Sequence, residues 1–311
     1  MHRFPTWQLI AIWVACCLIL SSCSSLQNPT SVSPASAEIL DPTQPKVSLD
    51  IIEESPTQTL IPTMTSTPTQ PPPTPTSTQI PTPTWVFNDA GKIDAPILLY
   101  HRVENDVSMS RYQVSIPDFR AQMAALQDMG FTVITISHFL EALLDGSDLP
   151  EKPIVITFDD GHESVYQNAF PIMKDFGYPG VFYIVANRIY DVQDFVNIAE
   201  LKEMVAAGWE IGSHSYSHPD LTKDHNIAAK EIGQSKSDLE AALSTPILTF
   251  AYPFGTIDRF TANKVSKYGY KAGMGLGKAT THTWNTLFYL DRIEIYGNYS
   301  LEDFYRILSG D

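Results

Sequence analysis

From residue 96 onward the chain alternates brief apolar runs with longer amphipathic stretches, and this rhythm restricts its fold more than any other feature. The runs lie at 96–100, 132–136, 154–158, 180–185, 209–212, 248–251 and 270–272. Short and apolar, they read as buried parallel strands. Between them, residues 115–129 carry Ser115 as a cap, Pro117 in the first turn, and Phe119, Met123 and Leu126 on one side before Gly130. That pattern predicts a helix. The same reasoning gives helices at 137–144, 165–176, 198–207, 227–243 and 259–267. Strand followed by helix, repeated this often, predicts an α/β fold built as a (β/α) barrel, complete or distorted, with its chemistry at the strand C-terminal ends.

The rhythm does not reach the N-terminus. Residues 1–22 begin with His2 and Arg3, continue as an apolar run from Leu9 to Leu20 and end in small residues, the layout of an export signal. The run is too short to span a bilayer comfortably. Leu20-Ser21-Ser22-Cys23 resembles the lipobox of bacterial lipoproteins, which implies that Cys23 becomes the acylated N-terminus and holds the protein to the membrane. An ordinary signal peptide or an uncleaved anchor is the alternative. Each version predicts an extracytoplasmic protein, lipid-anchored to the outer face of the cell membrane or secreted into the envelope.

Residues 23–90 are rich in Pro, Thr and Ser, as in Pro71-Pro72-Pro73-Thr74-Pro75-Thr76. Such a segment favours extended polyproline geometry and buries almost nothing, so it reads as a tether, with a composition also suited to O-glycans. One domain, residues 91–311, then remains, long enough for a single large core. Cys16 and Cys17 fall inside the removable segment, so the mature chain has no internal disulfide. A formal net charge of -15 argues against a nucleic-acid partner and against a polybasic membrane patch, because both require positive potential. It is compatible with a neutral or cationic glycan, and no protein partner is indicated.

Three segments carry chemistry. Thr157-Phe158-Asp159-Asp160-Gly161 ends an apolar run in two adjacent carboxylates and a turn-forming glycine. Their repulsion is relieved if one binds a cation and the other exchanges a proton, whereas a solvated turn is the bland alternative. His214-Ser215-Tyr216-Ser217-His218 follows the run at 209–212 and places two imidazoles four residues apart. That spacing predicts one face of a helical turn and suits a single metal ion. Phe250-Ala251-Tyr252-Pro253-Phe254-Gly255 ends another run, where Pro and Gly fix a backbone path able to aim an N–H inward.

Together and in this order, these segments resemble the motifs of the NodB-type polysaccharide deacetylases, carbohydrate esterase family four. The resemblance covers residues 96–311 and implies a distorted (β/α) barrel with a substrate groove over the strand ends. It also implies Asp159 as catalytic base and Asp160, His214 and His218 as ligands of a divalent metal, with Zn²⁺ foremost and Co²⁺ or Ni²⁺ as alternatives. The implied reaction removes N-acetyl groups from an amino-sugar polysaccharide. Rival readings are an O-acetyl esterase acting on a xylan-like glycan and a catalytically silent glycan-binding module.

The sequence departs from the family pattern at two places. Ala251 stands where many members have an arginine that orients the base, and His282, in an apparent loop, matches no late histidine motif. Deacetylases of biofilm poly-N-acetylglucosamine have a similar Tyr-Pro-aromatic-Gly segment and a Tyr-His pair after the first strand, and Pro96-Ile97-Leu98-Leu99-Tyr100-His101-Arg102-Val103 looks like that signature. This subset implies His101 as general acid and the Phe254 backbone N–H as an oxyanion donor. Arg292, in Asp291-Arg292-Ile293-Glu294, is then expected to supply the missing cation beside Asp159.

Overall fold

The computed structural model describes residues 83–105 and 110–310. The export signal at 1–22, Cys23 and the tether up to residue 82 lie outside the described residues. The central sheet has eight strands, one of which, Thr132–Val133, pairs only with Pro153–Ile154; the other seven are β1 (Ile97–Tyr100), β2 (Pro153–Phe158), β3 (Val181–Ile184), β4 (Glu210–Ser213), β5 (Thr249–Ala251), β6 (Ala272–Met274) and β7 (Ile293–Glu294). Their order is β6-β5-β4-β3-β2-β1-β7, and every pairing is parallel. The two edges meet through one stretch of chain. Before β7, Leu290 bridges Met274 and exchanges backbone hydrogen bonds of 2.8 Å with Gly273 and Gly275. The next residues pair with β1, where Ile295 N donates to Leu99 O at 2.9 Å. The result is a distorted (β/α) barrel closed by the segment 287–295.

Strand alternation decides what faces the interior. Ile154, Ile156 and Phe158 of β2 join the large cluster that packs against the helices. Val155 joins a second cluster with Tyr183, Ala251, Met274 and Leu290. Continuing that period of two through Thr157 brings Asp159 to the inner side at the strand end. Helix α2 (Ile136–Leu144) contributes Ile136, Phe139 and Leu143 to the inner cluster. Around the barrel run α1 (Ile116–Asp128), α3 (Phe170–Phe176), α4 (Ile198–Ala206), α5 (Ser235–Leu243), α6 (Arg259–Lys267) and α7 (Leu301–Ser309). Capping sets several of their starts: Ser115 Oγ accepts from Asp118 N at 3.1 Å, and Asn197 with Glu200 forms a full capping box.

Several expectations need correction. The run at 132–136 is a strand only over Thr132–Val133, because Thr135 accepts a hydrogen bond from His138 N and starts α2 at Ile136. The stretches 165–176 and 227–243 are not uniform α-helices. Each opens with a wide π-type segment, Val165–Ala169 and Ala229–Gln234, before becoming α-helical. The folded unit also begins before residue 91, since Trp85–Asn88 pairs antiparallel with Ser147–Pro150. His282 is not in a loop: Thr281–Thr283 pairs antiparallel with Lys92–Asp94, and the histidine is buried against Phe139.

One close approach inside the barrel is testable. A methyl group on Gly212 would lie 2.3 Å from the Tyr183 ring, which is fully buried and hydrogen-bonded to Thr249. Gly212→Ala is therefore expected to destabilise the protein by about 1–3 kcal/mol. Denaturant unfolding should show a lower midpoint with an unchanged slope, and an unchanged midpoint would contradict this packing.

Candidate metal centre and active site

Asp160 follows the last residue inside the barrel and turns outward through a left-handed backbone, φ 74°, continued by Gly161 at φ 80°. That turn aims its carboxylate at two imidazoles: Asp160 Oδ1 lies 3.6 Å from His214 Nε2 and 3.2 Å from His218 Nε2. One donor atom from each of the three residues falls within 4.8 Å of the others. The histidines do not share a helical face, as their spacing predicted. They sit on a loop after β4, in which Ser215 and His218 both take positive φ, 67° and 66°, and the convergence comes from that irregular path.

The donor set fits a divalent ion. His214 Nδ1 lies 2.8 Å from the Ala251 carbonyl oxygen; a carbonyl only accepts, so the ring proton is on Nδ1 and Nε2 offers its lone pair toward Asp160. Burial lowers the His214 pKa and outweighs the pull of Asp159 and Asp160. For Asp160 burial acts in the opposite sense, but His162, His218 and His214 overcome it and hold the carboxyl well below its ordinary range. An ionised carboxylate beside a neutral imidazole is the protonation pattern a metal site requires. Tetrahedral bonds of about 2.0–2.2 Å put neighbouring donors roughly 3.4 Å apart, and the two measured separations bracket that spacing.

Asp159 is held from the other side. Arg292, on the residue before β7, donates from Nη1 to Oδ1 and from Nη2 to Oδ2, each at 2.7 Å. Its remaining contacts, Nη1 to Thr157 Oγ1 at 3.3 Å and Nε to Gly275 O at 3.2 Å, lock the guanidinium plane. Both partners are almost completely buried. Burial opposes ionisation of Asp159, yet Arg292 and then His214 outweigh it and keep its pKa below the ordinary value. Asp159 Oδ2 also lies 3.7 Å from His214 Nε2, which places this carboxylate alongside the three-donor cluster.

The other expected residues line the same cavity, of about 400 Å³. His101 leaves the end of β1, with its ring 4.7 Å from that of Tyr112 and its Nε2 3.9 Å from Glu294 Oε1. Phe254 takes a left-handed backbone, φ 61°, and sets its ring edge-on against His218 at 4.6 Å while remaining 60% exposed. Tyr112, Tyr296, Arg111 and Glu294 complete the opposite wall. Sequence reasoning gave these four no role. Tyr112 follows an irregular connection and Tyr296 a strand of only two residues, so no periodicity marks either. His282 does not line this cavity.

Residues 146–273 match the family model described as Polysaccharide deacetylase. The chain is 26% identical over 201 residues to a putative polysaccharide deacetylase of Bacillus subtilis (strain 168), covering 64% of this chain and 71% of the relative. It is 28% identical over 202 residues to the poly-beta-1,6-N-acetyl-D-glucosamine N-deacetylase of Staphylococcus aureus (strain MRSA252), covering 60% and 69%. Among solved structures, a polysaccharide deacetylase from Bacillus cereus aligns with a TM-score of 0.63 at 27% identity, covering 70% of this chain and 69% of that one. A Streptococcus pyogenes deacetylase in complex with acetate shares the fold, with a TM-score of 0.63 at 23% identity over 73% and 99% of the two chains.

The buried pair makes a prediction with a definite sign. Arg292→Met leaves Asp159 buried without its partner and is expected to cost about 3–5 kcal/mol. In the wild type the lowered pKa of Asp159 gives stability that is present above the unfolded carboxylate pKa and is lost as pH falls through the folded value. Without the guanidinium, burial dominates and raises that pKa, so the variant should gain stability on acidification from about pH 7.5 to about pH 5. Chemical denaturation of the metal-free proteins at the two pH values reads this. A variant whose pH dependence parallels the wild type would refute it.

Proposed function

We propose, from the match of residues 146–273 to the polysaccharide deacetylase family model, that this chain is a NodB-type, metal-dependent hydrolase removing N-acetyl groups from a polymer of amino sugars, with poly-N-acetylglucosamine as the leading substrate. One observation carries the reading: a carboxylate clamped in its ionised form by Arg292 stands beside a two-histidine, one-aspartate cluster, and His101 lines the same cavity. The Staphylococcus aureus relative, a poly-beta-1,6-N-acetyl-D-glucosamine N-deacetylase, supports the choice of substrate.

Asp160, His214 and His218 would hold the divalent ion, Zn²⁺ first, with Co²⁺ and Ni²⁺ as alternatives. Such an ion supplies Lewis-acid polarisation of the acetamide carbonyl and makes a water more acidic. The chain's own groups do the rest. Asp159 takes the proton from the attacking water, and Arg292 keeps that carboxylate ionised and correctly aimed until then. The Phe254 backbone N–H donates to the acyl oxygen as negative charge develops on it. His101 gives a proton to the departing sugar nitrogen, so acetate and a free amine leave together.

Features of the cavity suit a polymer. Phe254 on one side and Tyr112 and Tyr296 on the other offer aromatic faces. A second cavity of about 620 Å³ shares Leu276, Arg292, Glu294 and Tyr296 with the first and extends the groove past Tyr299 and Lys278. The proposed setting is the outer face of the membrane, with the protein attached through acylated Cys23. Metabolic labelling with a tagged fatty acid should mark the wild type and not Cys23→Ala, and equal labelling of the two, or none of the wild type, would reject the anchor.

The decisive experiment measures acetate released from poly-N-acetylglucosamine oligomers, peptidoglycan, chitin oligomers and acetylxylan by protein loaded in turn with Zn²⁺, Co²⁺ and Ni²⁺. Release from an N-acetylated glycan is expected, with Asp159→Asn lowering kcat by about 10²–10⁴-fold. His101→Ala should lower kcat by about 10²–10⁴-fold. Release from acetylxylan alone would establish ester hydrolysis instead, and glycan binding without acetate would mark a silent module.

A further inference from the structure

The loop that joins the two histidines is an expensive piece of backbone. Ser215 and His218 are not glycines, yet both adopt left-handed φ values of 67° and 66°. Such a residue is strained and persists only where its surroundings over-determine it. Three main-chain bonds hold the first part: His214 N to Ile184 O at 2.8 Å, Ala186 N to Ser215 O at 3.0 Å and Asn187 N to Tyr216 O at 3.0 Å. Ser215 Oγ then accepts from His218 N at 2.8 Å.

Ser217, the residue immediately before His218, is held by a carboxylate. Its N–H donates to Glu231 Oε2 and its hydroxyl to Glu231 Oε1, both at 2.8 Å. Glu231 is 3% exposed, and among the described residues no lysine or arginine forms an ion pair with it; the neighbouring Lys230 instead lies over the Tyr216 ring. A carboxylate is buried at such cost only where its oxygens are fully used, and here the two oxygens together grip a single loop residue. Glu231 belongs to the π-type segment Ala229–Gln234, a local widening of the helix that often accompanies functional sites.

We infer that Glu231 is a positioning residue for the metal centre: by clamping Ser217 it fixes the strained backbone of His218 and so sets how tightly the two histidines and Asp160 hold their cation. It acts through the loop and does not touch the ion. The inference rests on the metal-binding reading of Asp160, His214 and His218, and extends it to a residue outside the three sequence motifs.

The test is metal affinity, measured without substrate. Purified protein is stripped of metal and titrated with Zn²⁺ against a chromophoric chelator, then with Co²⁺ by its visible absorption. Glu231→Ala should weaken both ions by about 10–100-fold, the range typical of groups that orient ligands, and should alter the Co²⁺ spectrum. Glu231→Gln should stay within about threefold of the wild type, because an amide oxygen can accept from Ser217 N while its NH₂ donates to a rotated hydroxyl. Ser217→Ala, which removes only the hydroxyl bond, should fall between the two and serves if Glu231→Ala does not fold. Wild-type affinity in Glu231→Ala, or in Ser217→Ala where the former cannot be made, overturns the inference, as does a Gln variant no better than Ala. Failure of the wild-type protein itself to bind either ion would instead overturn the metal reading of the site.

Discussion

A carboxylate and a guanidinium buried together, with all their bonding atoms committed, organise this molecule. Asp159 would be an intolerable group at the end of a fully buried strand without Arg292, and Arg292 would be equally costly without Asp159. The two arrive from strands on opposite sides of β1. Arg292 stands in the segment that draws the free edges of the sheet together, so the step that closes the barrel also delivers the cation. Thr157 and the Gly275 carbonyl fix the guanidinium plane, which leaves the Asp159 carboxylate with little freedom beside the histidines. Fold closure and charge compensation are in this sense one event.

Much of this was readable from residue order. The apolar run ending in Asp159-Asp160-Gly161 identifies a buried strand, and its period of two assigns Asp159 to the interior. The helices at 115–129 and 259–267 announce themselves through caps and apolar spacing, and both are observed close to those limits. Other parts left no such trace. Strand β7 is two residues long, too short for any pattern, although it follows the arginine on which the site depends. The strand Trp85–Asn88 carries three apolar residues but leaves them exposed, and so short a run at the end of the Pro- and Thr-rich sequence shows no alternation to mark it as part of the fold. The histidine loop looked helical by spacing, while its real geometry depends on bonds to Asn187 and Glu231, which are remote from it in the chain.

The wall facing Asp160 and the two histidines teaches a related lesson. Tyr112, Arg111 and Tyr296 form a stack in which the guanidinium lies 4.8 Å from both ring centres, and Glu294 accepts a hydrogen bond from the Tyr296 hydroxyl. These residues come from two separate irregular segments. Chemistry that needs a fixed charge is written into strand ends, where neighbouring residues identify it. Surfaces that meet an extended ligand are assembled from connections, and only the folded chain brings them together.

The contact between His214 Nδ1 and the Ala251 carbonyl oxygen has an evolutionary consequence. Its acceptor belongs to the main chain of β5, so any residue at position 251 that preserves the strand provides it equally well. The imidazole's tautomer is thereby insulated from substitution at that position. A lineage could exchange a bulky cationic side chain there for a methyl group, and recruit the positive charge from another strand, without ever passing through a form in which the histidine presents the wrong nitrogen.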